Sequence, residues 1–212
     1  MSEETLIDQL SEAVRGFDGQ GLDAAFAEAK KCGLSPYEIT KALTAGLEAA
    51  RMELKSHATA IPEFLLSVDI MNYGLQRAYA LIPADNAGAE PKNVVIGVVE
   101  GDVHDLGKNI IAGVLKACGY NVIDIGRNVE IASFVEQAKT NDASLLALSC
   151  MMSTAIANMR SIITWSRRFL PDVPIIVGGA ALDESVAASI GADGYAESAV
   201  TAPDEAQRLL GV

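Results

Sequence analysis

Val94-Val95-Ile96-Gly97-Val98-Val99 is an apolar, β-branched run broken only by one glycine. A strand of that kind has no polar face, so it must be covered on both sides, as in a parallel sheet between two helical layers. Four shorter runs follow: Val122-Ile123-Asp124-Ile125, Ser144 to Leu148, Pro174-Ile175-Ile176-Val177 and Gly194-Tyr195. Segments of helical period separate them, over residues 107–118, 131–139, 153–169, 181–190 and 199–210. Strands alternating with helices predict right-handed crossovers. The expected fold is α/β, Rossmann-like (flavodoxin-like), with a doubly wound five-stranded parallel sheet in the order 2-1-3-4-5.

The first part of the chain reads differently. Ser35-Pro36-Tyr37-Glu38 has the spacing of a capping box with proline at the first helical position. Ile39, Leu43, Leu47 and Met52 continue it at close to a helical period. Ile61-Pro62-Glu63 opens a further helix, and two more are expected near residues 4–15 and 21–31. The predicted organisation is an N-terminal helical bundle over 1–85, a Pro- and Gly-containing linker over 86–91 and the α/β domain over 92–212.

Charge narrows the function classes. Sixteen Lys and Arg against twenty-eight Asp and Glu give a formal net charge of −12. Nucleic acid and anionic membranes call for a basic surface, so neither is an expected partner. No apolar stretch approaches the roughly 18 residues of a membrane span. The acidic start, MSEETLIDQL, lacks the pattern of a secretory signal. Cys32, Cys118 and Cys150 are widely spaced and odd in number, which suits a reducing cytoplasm.

In open α/β sheets, ligands bind beyond the C-terminal strand ends where strand order reverses. Strand one ends in Glu100-Gly101-Asp102-Val103-His104-Asp105-Leu106-Gly107, strand three in Leu148-Ser149-Cys150-Met151, and strand four in Val177-Gly178-Gly179-Ala180. The polar and glycine-rich exceptions to an apolar sheet thus fall at three ends that should converge. Asp102 two residues before His104 can fix the imidazole and leave its far nitrogen for a metal, or it can cap the following helix. Gly178-Gly179 reads equally as a strained turn and as room for a ligand. Lys108 can meet a phosphate or simply sit on the first helical turn. With no second His or Cys nearby to complete a zinc set, a lone His ligand suggests a metal already held by a macrocycle. The small residues at the strand ends suit a slender appendage entering the sheet.

Asp102-x-His104-x-x-Gly107, then Ser149-x-Met151, then Gly178-Gly179, resembles the D-x-H-x-x-G … S-x-L … G-G motif of cobalamin-binding proteins. The intervening segments are 41 and 26 residues long, as in that family. The resemblance covers the whole chain. Its first half is similar to the capping bundle of methionine synthase and of the small corrinoid proteins of methyltransferase systems. Ile61 to Met71, Asp124-Ile125-Gly126 with Val129, and Gly191 to Tyr195 also look family-like. Met151 stands where the motif has leucine, a swap of similar volume.

The resemblance implies a cobalamin bound base-off and His-on. In that arrangement His104 is the lower axial ligand of cobalt and Asp102 its hydrogen-bond partner. Gly107, Ser149, Gly178 and Gly179 would surround the nucleotide tail, with Met151 and Tyr195 as further cofactor-binding residues. Met71, under the bundle, is a candidate contact to the upper face. A serine that extends the Asp–His pair in methionine synthase is Ala155 here, with Ser153 and Thr154 beside it. The implied function is a methyl carrier, not catalytic alone. A substrate-specific methyltransferase would load a methyl group on cobalt, and a second methyltransferase would pass it to a thiol or tetrahydropterin. A reductive activator is the third implied partner. The competing readings are a cobalamin-binding sensor module, the small subunit of an adenosylcobalamin mutase, and a flavodoxin-like domain without cofactor.

Overall fold

The structure is a computed structural model that describes residues 2–81, 91–199 and 201–211. The chain divides into two compact units, Met1–Asp85 and Asn86–Val212. The expected linker lies outside the described residues except for Pro91.

The first unit has four helices among its described residues: α1 (Glu3–Arg15), α2 (Gly19–Cys32), α3 (Pro36–Lys55) and α4 (Ile61–Tyr79). Each start has a chemical cause. Ser2 and Asp18 accept from the N–H groups of Thr5 and Gly21. Ser35 and Glu38 form the full reciprocal capping box. At α4 the Glu63 carboxylate takes the Ala60 N–H at 2.9 Å, and Pro62 fills the first turn. Ser67, Met71, Leu75 and Ala78 form one buried stripe of α4. Leu43 of α3 and Leu22 of α2 pack against Gly74 on that stripe.

The second unit alternates β1 (Asn93–Val98), α5 (Leu106–Ala117), β2 (Asn121–Asp124), α6 (Ile131–Thr140), β3 (Leu145–Ser149), α7 (Ile156–Phe169), β4 (Ile175–Gly178), α8 (Glu184–Ile190), β5 (Gly194–Ala196) and α9 (Ala202–Leu210). A 3-10 turn, Ser153–Ala155, precedes α7. All strand pairs are parallel, in the expected order β2-β1-β3-β4-β5. The fully apolar character of β1 is explained by its two covers. Val94 and Ile96 pack with α5 and α9, while Val95 and Val99 pack with the α6–α8 side. Burying each such side chain is worth about 1.5–3 kcal/mol. Two helix starts move by three residues: the helix after β4 starts at Glu184 instead of Ala181, because Asp183 caps it through the Val186 N–H at 2.8 Å, and the last helix starts at Ala202 instead of Ala199.

Candidate cofactor site

Register brings three predicted segments together. Val98, Ser149 and Gly178 are cross-strand neighbours at the C-terminal ends of β1, β3 and β4. The connection from β1 to α5 leaves this edge at the point where strand order reverses. A turn at Gly101, with φ of +87°, sends it across the edge.

Asp102 has no exposed surface. One carboxylate oxygen accepts from the His104 N–H at 2.9 Å and lies 2.7 Å from His104 Nδ1. The other accepts from the N–H groups of Met151 and Met152 at 2.5 and 3.0 Å. Burial pushes the Asp102 pKa up, but hydrogen bonds from the His104 and Met151 amides, the imidazole and the Met152 amide outweigh it. The net direction is downward, so this carboxylate is held ionised. An ionised carboxylate only accepts, so His104 Nδ1 carries a hydrogen, and in the neutral imidazole the lone pair lies on Nε2. The His104 side chain is 52% exposed, and Nε2 has no hydrogen-bond partner among the described residues. The ring is thus held from behind through Nδ1 and open on its Nε2 side.

The structure decides between the earlier readings of Asp102. Helix α5 begins at Leu106 behind Asp105, and Asp102 does not cap it. The hydroxyl question also closes. Ser153 and Thr154 are exposed, and backbone amides of Met151 and Met152 fill the second oxygen of Asp102 instead.

Gly107 and the glycine pair differ in kind. A Cβ on Gly107 would meet no protein atom within 4 Å, and its φ lies outside the left-handed region. The fold does not require glycine there, so the open space beside the start of α5 is room for something else. Gly179 has φ of +126°, and a Cβ would fall 2.1 Å from the Cys150 carbonyl oxygen. Its glycine is demanded by the turn. A Cβ on Gly178 would sit 3.0 Å from the Ala196 carbonyl, a tight fit against β5.

Between the sheet and helices α5 and α9 lies a narrow apolar cavity of about 20 Å3. Ile96, Ile111, Leu115, Ala147, Ala202 and Ala206 line it, together with Ser149 and Gly178. The slot begins at a serine and a glycine, and a flat heterocycle would enter it only by widening the space between the two helices and the sheet. Among the described residues, no group of three or more His, Cys, Asp or Glu could hold a bare metal ion. One oriented imidazole is the single donor that a metal already held in a macrocycle would take from a protein.

Two of the expected contacts pack against cores in this structure. Met71 has no exposed surface, because it belongs to the core stripe of α4. The apolar side chains that α4 exposes are Ile61, Leu65, Leu66 and Tyr73. Tyr195 packs with the α6–α8 core, and its hydroxyl donates to the Leu182 carbonyl at 3.1 Å. Strand alternation turns it to the face opposite the α5–α9 cavity. Met151 contributes its N–H, while its side chain is exposed.

Asn128 and Asn158 are additions to the predicted set. Asn128 accepts the Gly101 N–H at 2.8 Å and donates its own N–H to the Asp102 carbonyl at 3.0 Å. Asn158 donates to the Glu100 carbonyl at 2.8 Å. The positive φ of Asn128, +52°, is a local signal that asparagine tolerates.

The B12 binding domain family matches residues 92–204. This chain is a member of that family. Dimethylamine corrinoid protein 1 of Methanosarcina acetivorans is 36% identical, covering 99% of this chain and 100% of its own length. Trimethylamine corrinoid protein 1 of the same organism is 32% identical over 99% of both chains. The monomethylamine corrinoid protein of Methanosarcina barkeri shares the fold, with a TM-score of 0.77 at 23% identity over 98% of this chain and all of that one. The methanol:cobalamin methyltransferase complex MtaBC of M. barkeri contains a similar chain. That match has a TM-score of 0.55 and 26% identity, covering 99% of this chain and 81% of that one.

No described helix is long and apolar enough to cross a membrane.

Proposed function

We propose that this chain is a methyl carrier that holds a cobalamin base-off and His-on and works between two methyltransferases. The observation that carries the reading is the His104 imidazole. It is fixed through Nδ1 by a buried, ionised Asp102 and leaves Nε2 free at the sheet's switch point. Full-length similarity to methylamine corrinoid proteins includes the helical unit, which favours a carrier over a mutase subunit.

When bound, the cofactor supplies a cobalt centre that accepts and gives up a methyl group. The protein's part is binding and orientation. His104 would offer its imidazole nitrogen to the cobalt, and Asp102 would set its tautomer and raise its donor strength. Gly107 leaves space at the start of α5, and Ser149 and Gly178 stand at the entrance of the apolar slot that takes the nucleotide tail. A methylamine is the favoured methyl source, since the full-length relatives are methylamine corrinoid proteins. The second methyltransferase and a reductive activator complete the partner set, in the cytoplasm.

The test is reconstitution with hydroxocobalamin followed by electron paramagnetic resonance of the Co(II) state. One cobalamin per chain with nitrogen superhyperfine structure, lost in His104→Ala, is the expected result. No cobalamin binding, or an unchanged nitrogen signal in His104→Ala, would refute the ligand assignment. Methyl transfer from dimethylamine with a partner methyltransferase then tests the carrier role.

A further inference from the structure

Lys108 is 2% exposed, although it stands in the first turn of α5. A lysine at a helix start ordinarily runs its stem along the surface and keeps its ammonium in water. Here the ammonium pairs with Asp124, at the C-terminal end of β2, and donates to Asn109 Oδ1 at 2.6 Å. The other oxygen of Asp124 accepts the Gly126 N–H at 2.9 Å. Further along the same β2–α6 connection, Asn128 bonds Gly101 and Asp102, and Arg127 lies 3.6 Å from Asp105. Helix α5 has no side-chain cap of its own. The segment carrying His104 is therefore held from two directions. Asp102 ties it to the end of β3, and Lys108 with Asn128 ties it to the end of β2.

A buried ion pair is a poor source of net stability, because desolvation consumes most of the attraction. An apolar side chain of similar volume would serve the core as well. What the pair adds is a fixed place for the residues around it. We infer that Lys108, through Asp124, is a positioning residue that keeps the His104 imidazole presented toward the cofactor. The inference rests on His104 being the axial ligand.

Lys108→Met preserves volume and leaves Asp124, one-third exposed, in contact with water and the Gly126 N–H. Asp124→Asn attacks the same pair from the other side and carries the test if the first variant fails to fold. Phe134→Leu, in the α6–α8 core, is the control for lost stability alone. In the cofactor-free protein, both pair variants should speed hydrogen exchange of the Gly101, Asp102 and His104 amides by roughly tenfold, with β3 amides unchanged. In the cobalamin-loaded Co(II) protein, the nitrogen-coupled fraction should fall from near-complete to about half or less. Phe134→Leu should keep the parent spectrum. Parent-like exchange and spectra in the pair variants would overturn the positioning role, as would an equal spectral loss in Phe134→Leu. Absence of nitrogen coupling in the parent itself would overturn the ligand reading and this inference with it.

Discussion

The carboxylate of Asp102 and the backbone N–H of Met151 meet at 2.5 Å, tying the segment after β1 to the segment after β3. The same carboxylate orients His104, so the ligand's aim depends on a junction between two neighbouring strands.

Asp102→Asn should therefore damage both. Asparagine keeps one acceptor oxygen and puts an NH2 group where a second oxygen took amide hydrogens. A loss of about 2–4 kcal/mol is expected in denaturant melts of the cofactor-free protein. With cobalamin bound, the weaker imidazole donor should raise the Co(II)/Co(I) midpoint potential, because the lower oxidation state needs the axial ligand less. Parent-like stability together with an unchanged midpoint would contradict this.

The three glycines should separate by what crowds them. Gly107→Ala meets no protein atom, so the cofactor-free protein should be as stable or gain up to ~1 kcal/mol from helix propensity. Its cobalamin affinity should drop. Gly179→Ala should lose about 2 kcal/mol or more without any ligand, from the strained φ and the Cys150 carbonyl. Gly178→Val should also be destabilised before cofactor is added, through the Ala196 carbonyl. Thermal melts and equilibrium binding on the same samples measure both columns of this comparison.

Ser166 is buried in α7, and its hydroxyl has no hydrogen-bond partner among the described residues. Replacing it by alanine removes a desolvated polar atom at the cost of a small void. Ser166→Ala should be stabilising by about 1 kcal/mol, read as an upward shift in Tm. A clear loss of stability would show that the hydroxyl does have a partner.

The three thiols should differ in reactivity with pH. Burial, followed by the charge of Asp204, pushes the Cys118 pKa up to about 11. A raised thiol pKa means less thiolate, so Cys118 should resist iodoacetamide at mildly alkaline pH and gain reactivity only as pH climbs toward that value. Cys150 is buried and also shifted upward by burial, while Cys32 is exposed. Mass spectrometry of a timed alkylation should find Cys32 modified first. Equal rates at Cys32 and Cys118 would contradict the burial argument.

The sheet was readable because β1, β3 and β4 are apolar on both faces and the strand ends carry the exceptions. Asp102 and His104 were readable because their contact spans two residues. The remaining partners of Asp102 were not, since Met151 and Met152 act through backbone N–H groups that any residue supplies. The Lys108–Asp124 pair was equally hidden: its members belong to different strand-helix units, and neither type signals burial. The facing of Met71 and Tyr195 was not readable either. Each lies in a family-like segment, but helical and strand periodicity decide which way a side chain faces: Met71 lies in the buried stripe of α4, and Tyr195, partly buried, packs against the α6–α8 core.

One wall of the apolar slot comes from Ala202 and Ala206 of α9, the last helix, while the opposite wall comes from α5, the first helix of the α/β unit. On the ribosome, the His104 segment emerges long before the slot can close. On the proposed binding mode, a nascent chain lacking α9 would expose the imidazole but have nowhere to house a nucleotide tail. Cofactor loading would then come late in biosynthesis, and translation stalled before residue 202 should yield a protein unable to retain cobalamin.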